Sequence, residues 1–132
     1  MSDESRKLIE AFAKSHDPKY FATDAIYTQM PASQSFSGRG AIEDMLRLFY
    51  KDAFSEAEGE LRNVAVDTEK DIGFIEFIFR GRHTGLLMNI PATGRHVEVP
   101  MLGVYELGGG KIQRARLYYD MATLMRQLGQ MA

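Results

Sequence analysis

Asp120 and His83 carry most of the chemistry legible in this sequence. Asp120 follows Tyr118-Tyr119 at the end of a strand-like run and precedes an apolar helical one. A carboxyl group in an aromatic pocket has its charged form disfavoured, so its pKa rises toward the range of a general acid or base. Asp directly before a helix is also a preferred N-cap, accepting backbone N–H bonds, and that role lowers the pKa instead. The residue pattern by itself favours the cap. His83 closes an aromatic strand and shares parity with Phe77, Phe79 and Gly81, which places it on their face. An imidazole there shuttles a proton or holds a substrate oxygen; a hydrogen-bonded or solvated strand-end His reads equally well.

Other residues are secondary. Arg114 and Arg116 share strand parity with Tyr118 and Asp120. On a concave face an Arg would pair with Asp120; on an outer face both are ordinary surface charges. Tyr27, Gln29 and Tyr50 are polar handles for a pocket mouth, with packing as the alternative role. His16 and His96 read as loop and strand-edge residues. No two His stand at metal-ligand spacing and there is no His-Glu-x-x-His, so no metal site is expected. No Ser sits in a nucleophile elbow, and Gly38-Arg39-Gly40 lacks the spacing of a phosphate-binding loop.

These residues need elements to position them. Residues 3–15 read as a helix with Leu8, Ala11 and Phe12 on one face. Asp17 caps a very short second helix with Pro18 in its first position. Residues 25–29 read as a strand and 31–40 as a loop. Ile42, Met45, Leu46, Phe49 and Ala53 then repeat at helical spacing. Strands follow at 61–66, 73–83, 96–107 and 111–119, with Gly108-Gly109-Gly110 as a hairpin turn. A last helix over about 121–128 carries Met121, Leu124, Met125 and Leu128. Helices first and a four-strand meander after them make an α+β domain whose helices cover one face of a curved antiparallel sheet.

Composition narrows the function classes. The 132 residues suit one domain, 1–132, and a 45% apolar fraction supports a buried core. Sixteen basic and 18 acidic residues give a net charge of −2 with no basic block, which argues against nucleic acid. The absence of Cys removes thiolate catalysis and Cys-based zinc sites. No apolar run reaches membrane-spanning length, and the first residues lack a signal peptide's apolar segment. A soluble, cytoplasmic protein with no membrane partner is the expectation.

Several motifs together resemble the SnoaL-like polyketide cyclases of the nuclear transport factor 2-like superfamily, which includes ketosteroid isomerases. They are Phe79-x-Gly-x-His83-Thr-Gly85, Ile90-Pro91-x-Thr93-Gly94-Arg95, Gly110-Lys111-Ile112, and Asp120 with Gln127-Leu128-Gly129. The first half is compatible through Phe21-x-x-Asp24-Ala25-x-Tyr27 and Gly38-Arg39-Gly40. The resemblance implies a cone-shaped α+β barrel enclosing a deep apolar pocket, and a homodimer formed through the sheet. It also implies a cofactor-independent aldol-type ring closure in which an Asp matching Asp120 moves the proton. His83 matches a recurrent family His at the pocket. The chain departs from the cyclases at Gly103-Val104, near where they carry a polar His. It departs from the isomerases at Gln29, which stands where they carry their base Asp.

The leading expectation is a cyclase/isomerase acting on a small apolar or aromatic carbonyl compound. Asp120 and His83 would be its catalytic pair. Tyr27, Gln29, Tyr50, Phe79, Arg116, Tyr118 and Tyr119 would line its pocket. The alternatives are a non-catalytic binding domain using the same pocket and an interaction module dimerising through its sheet.

Overall fold

A computed structural model describes residues 2–130. Helix α1 (Ser2–Ser15) is followed by a one-turn 3-10 helix at Pro18–Tyr20 and strand β1 (Phe21–Gln29). Asp17 caps that turn, its carboxylate accepting the Lys19 N–H at 2.9 Å, as the sequence indicates. A short strand β2 (Gln34–Ser37) leads to helix α2 (Arg39–Arg47) and a π-helical turn at Leu48–Asp52. Strands β3 (Phe54–Asp67), β4 (Ile72–His83), β5 (His96–Gly108) and β6 (Lys111–Tyr119) form the meander, and α3 (Met121–Gln127) closes the fold.

The six strands form one curved sheet in the order β2-β1-β6-β5-β4-β3. The α+β class and the helix-filled concave sheet agree with the sequence reading, although the sheet is not closed into a barrel. Three features differ. Strands β1 and β6 pair in parallel, so the sheet is mixed rather than wholly antiparallel. The expected loop at 31–40 contains β2, which pairs antiparallel with β1. The second helix stops early, and β3 begins at Phe54 rather than residue 61, because Phe54 and Ser55 register against His83 and Arg82 of β4. Its polar Ser55–Glu60 stretch tolerates strand pairing because β3 is an edge strand.

Strand alternation sorts the core. Ile75, Phe77, Phe79, Val97, Val99, Met101, Tyr105, Ala115 and Leu117 face inward and are buried. Helix α1 meets them with Ile9, Phe12 and Ala13, one position round from the expected Leu8–Ala11–Phe12 face. Gly73 sets that rotation: a Cβ there would stand 2.4 Å from Ile9 Cγ1, so the glycine admits the Ile9 side chain against the sheet. Gly103 acts similarly. A Cβ there would fall on the Tyr105 phenol, so a core tyrosine occupies the space beside it.

Candidate functional site

The concave side of the sheet holds a small cavity of about 20 Å³, enough for roughly one water molecule. Its walls are Met45, Leu46 and Phe49 of α2 and the π turn, Phe77, Phe79, Met101 and Leu117 of the sheet, and the polar side chains His16, Tyr27, Gln29 and Tyr50. Among the described residues no Asp, Glu, Lys or Arg lines it. A wider groove of about 320 Å³ lies outside, between the end of α1 and α2 with its π turn. His16, Leu46 and Tyr50 line both spaces and form the partition between them.

Four residues expected at a pocket are therefore brought together: Tyr27, Gln29, Tyr50 and Phe79. Tyr119 joins them through a hydrogen bond, its hydroxyl donating to Gln29 Oε1 at 3.2 Å across the parallel β1–β6 pair. Gln29 is 5% exposed, so this bond satisfies a buried amide oxygen. Burial pushes the phenols of Tyr27 and Tyr50 well up and that of Tyr119 to about 12, which keeps all three protonated donors at neutral pH.

Four of the expected site residues, Asp120, His83, Arg116 and Tyr118, lie away from the cavity. Asp120 is exposed and turned toward α3, accepting the Ala122 N–H at 3.1 Å and the Thr123 hydroxyl at 2.8 Å. The Thr123 hydrogen bond, with the Ala122 and Thr123 amides, lowers its pKa; the rise expected of an acid in an apolar pocket does not occur. The N-cap geometry has won, because α3 turns its first amides back to the strand end.

His83 is fully buried but lies outside the cavity, with Phe54 packed beside its ring at 5.5 Å. Its Nδ1 accepts the Thr93 N–H at 3.2 Å and lies 3.0 Å from Thr93 Oγ1, so the neutral tautomer carries its proton on Nε2. Thr93 Oγ1 in turn accepts the Arg95 N–H at 3.2 Å. His83 thus fastens the 84–95 connection to the end of β4, and burial lowers its pKa. The neighbouring Gly85 is held equally closely: a Cβ would stand 1.9 Å from the Asp52 carbonyl oxygen.

Arg116 and Tyr118 lie on the outer face of the sheet. Arg116 pairs with Glu106 at 2.5 Å and Tyr118 is 41% exposed, because inward and outward residues alternate on β6 and Leu117 and Ala115 point in.

The sequence reading missed His16, which it took as a loop residue. The imidazole stacks on Tyr50 at 4.9 Å, meets the edge of Phe12 at 5.1 Å and packs near Phe77 at 5.4 Å. Its Nε2 is buried with no hydrogen-bond partner, and burial lowers its pKa to about 4. Its backbone is left-handed at φ 52°, uncommon for a residue with a side chain. The available signal was its place four residues after Phe12 and directly before the Asp17-Pro18 cap, where the chain must turn sharply. Among the described residues no group of His, Asp and Glu could hold a metal ion.

Comparison with known proteins places this architecture. Residues 6–128 match the SnoaL-like polyketide cyclase family, and the chain belongs to it. A protein of Jannaschia sp. CCS1 described as a SnoaL-like polyketide cyclase superposes with a TM-score of 0.84 at 15% identity, covering 98% of this chain and 94% of the other. TsrD from Streptomyces laurentii superposes at 0.79 with 21% identity, covering 98% and 97%. A Catenulispora acidiphila protein with a ketosteroid isomerase-like fold, solved with trimethylamine, superposes at 0.74 with 19% identity, covering 93% and 92%. No curated protein matches the sequence significantly. No described helix is long and apolar enough to cross a membrane.

Proposed function

We propose that this chain is a cofactor-independent acid/base enzyme of the cyclase/isomerase kind, acting on a small, neutral, mostly apolar carbonyl compound. The observation that carries the reading is the composition of the concave interior: mostly hydrocarbon walls, no charged lining among the described residues, and neutral hydrogen-bonding groups on Tyr27, Gln29, Tyr50 and His16. A carbonyl oxygen finds donors there in the Gln29 amide NH2, whose oxygen Tyr119 holds, and in the Tyr27 and Tyr50 hydroxyls. Such donors stabilise an enolate more than a ketone, because negative charge grows on the oxygen in a site with little water. The 320 Å³ groove admits a compound of one or two rings, and the π turn carrying Phe49 and Tyr50 is the element whose movement would enlarge the interior. Family membership supports the reaction class.

The test uses 1-tetralone, a neutral aromatic ketone with an acidic C–H beside its carbonyl. In D2O the protein should accelerate deuterium uptake at that carbon, followed by proton NMR. Methionines 45 and 101 line the cavity, so their 13C-methyl signals should shift on binding. Shifts without exchange acceleration would favour a second reading, a non-catalytic binding domain, for which the outward-turned Asp120 is the specific support. Neither effect would remove both readings.

A homodimer through the convex sheet face belongs to the same proposal. Leu102 and Tyr118 are opposite one another on β5 and β6, 39% and 41% exposed.

A further inference from the structure

Among the described residues two buried side-chain nitrogens have no hydrogen-bond partner, His83 Nε2 and His16 Nε2, and of the two only His16 lines the cavity. His16 sits where the groove meets the cavity, and its Nε2 is buried without a partner. A buried polar atom left unbonded is costly unless something else meets it. Its ring is held from several sides: stacked on Tyr50, edge-on to Phe12, and beside Phe77. Gly59 supplies the remaining wall. A Cβ there would come within 3.2 Å of His16 Cε1 and 3.3 Å of the Tyr50 hydroxyl, so the absent side chain lets both groups reach the same spot. The left-handed backbone at His16 turns the chain so that the ring points inward rather than continuing α1. Local strain of this sort survives where surrounding packing enforces it, and it concentrates at functional sites.

We propose that His16 is the proton-accepting catalytic residue of this cone, taking the proton from a carbon next to the carbonyl of a neutral, mostly apolar ketone or ester lodged between the groove and the cavity. This inference rests on the acid/base reading above. The C–H bond breaks, its proton goes to Nε2, and its electron pair forms the carbon–carbon double bond of an enolate whose charge sits on oxygen. The enolate carbon then retrieves the proton at another position, or attacks a second carbonyl of the same molecule. In the latter case a carbon–carbon bond forms and the resulting alkoxide takes the proton from the imidazolium. No oxidant, reductant or second reactant is needed. Burial keeps His16 in its neutral, accepting form at pH 7, and a growing enolate charge beside it raises its basicity as the proton arrives. Asp17, Glu43, Arg47 and Lys51 line the outer groove around it, and Tyr50 faces the ring.

The experiment is the 1-tetralone exchange assay on the full chain carrying His16→Gln. Exchange should fall by a factor on the order of 100 or more, while the Met45 and Met101 methyl shifts persist with an affinity within about threefold of the parent. In His16→Ala, millimolar imidazole should restore part of the exchange, an effect no purely structural role would produce. Parent-like exchange in His16→Gln, with the methyl shifts intact, would overturn the assignment and leave the acid/base reading standing. Absence of exchange in the parent protein would overturn both. Should His16→Gln unfold, the folded parent decides through the 15N resonance of Nε2: it must shift on saturation with 1-naphthol, a hydroxyl mimic of the enol, and no shift overturns the assignment.

Discussion

The imidazole of His16 lies against the phenol of Tyr50, ring centroids 4.9 Å apart and planes inclined by 29°, and this stack separates the outer groove from the cone interior. It joins the end of α1 to the π turn after α2, two segments more than thirty residues apart in sequence. It also leaves a half-buried titratable group with its Nε2 shut away from water, and that has a consequence for stability.

Burial lowers the His16 pKa from 6.5 to about 4, so between these values the unfolded chain binds more protons than the folded one. Stability from this residue is complete above about pH 6.5 and is lost as pH falls toward 4. The difference corresponds to on the order of 3 kcal/mol. Urea unfolding of the parent and His16→Phe at pH 7 and pH 4.5 should show the parent losing more stability than the variant. Equal losses would mean that His16 is exposed to water in solution.

Tyr119→Phe removes the hydrogen bond that the Gln29 side-chain oxygen accepts from the Tyr119 hydroxyl. Leaving that buried oxygen unsatisfied should cost about 1–3 kcal/mol in urea unfolding. If the pair also holds the substrate oxygen, 1-tetralone exchange falls roughly tenfold or more in the same variant. A loss of stability with exchange preserved would confine Tyr119 to a structural role.

His83→Ala deletes a fully buried ring and unfastens the 84–95 connection, because Thr93 loses both contacts to Nδ1. A cost of about 2–4 kcal/mol is expected from the cavity and the orphaned Thr93 amide. Hydrogen exchange should localise the effect to the amides of Thr93, Gly94 and Arg95. The Met45 and Met101 responses to 1-tetralone should survive, since His83 does not line the cavity.

Asp120→Ala removes both acceptors at the start of α3 and should lower Tm by a few degrees, read by calorimetry. Asp120→Asn, which keeps one acceptor oxygen, should lose less. Because hydrogen bonds to the ionised carboxylate lower its pKa, its contribution is present at neutral pH and fades in acid as the carboxyl protonates. Tetralone affinity should be unaffected by either change. Abolished exchange in a folded Asp120→Asn would restore this carboxylate to the chemistry.

On the convex face, Leu102→Asp with Tyr118→Asp sets like charges opposite one another across β5 and β6. Sedimentation velocity should show the parent as a dimer at micromolar concentration and the double variant as a monomer of unchanged fold by circular dichroism. A monomeric parent would remove the sheet-to-sheet dimer.

Much of the scaffold is legible in the sequence, for local reasons. Strand alternation in Gly73–His83 and His96–Leu107, the Asp17-Pro18 start and the Gly108–Gly110 hairpin are set by side-chain period and backbone preference within a few residues. So is the Asp120 cap, where a short carboxylate before a helix finds free amides. Strand parity likewise offered two faces for Arg116 and Tyr118, and only the sheet's curvature decided that theirs is the convex one. The parallel β1–β6 pairing, the early start of β3 and the inward turn of His16 depend on residues far apart in the chain. Ile9 enters beside Gly73, Phe54 registers on His83, and Tyr50 comes to rest on His16. A one-dimensional pattern specifies which residues prefer burial and which torsions are cheap. Which buried polar atoms are left without a partner is decided only when every neighbour has taken its place.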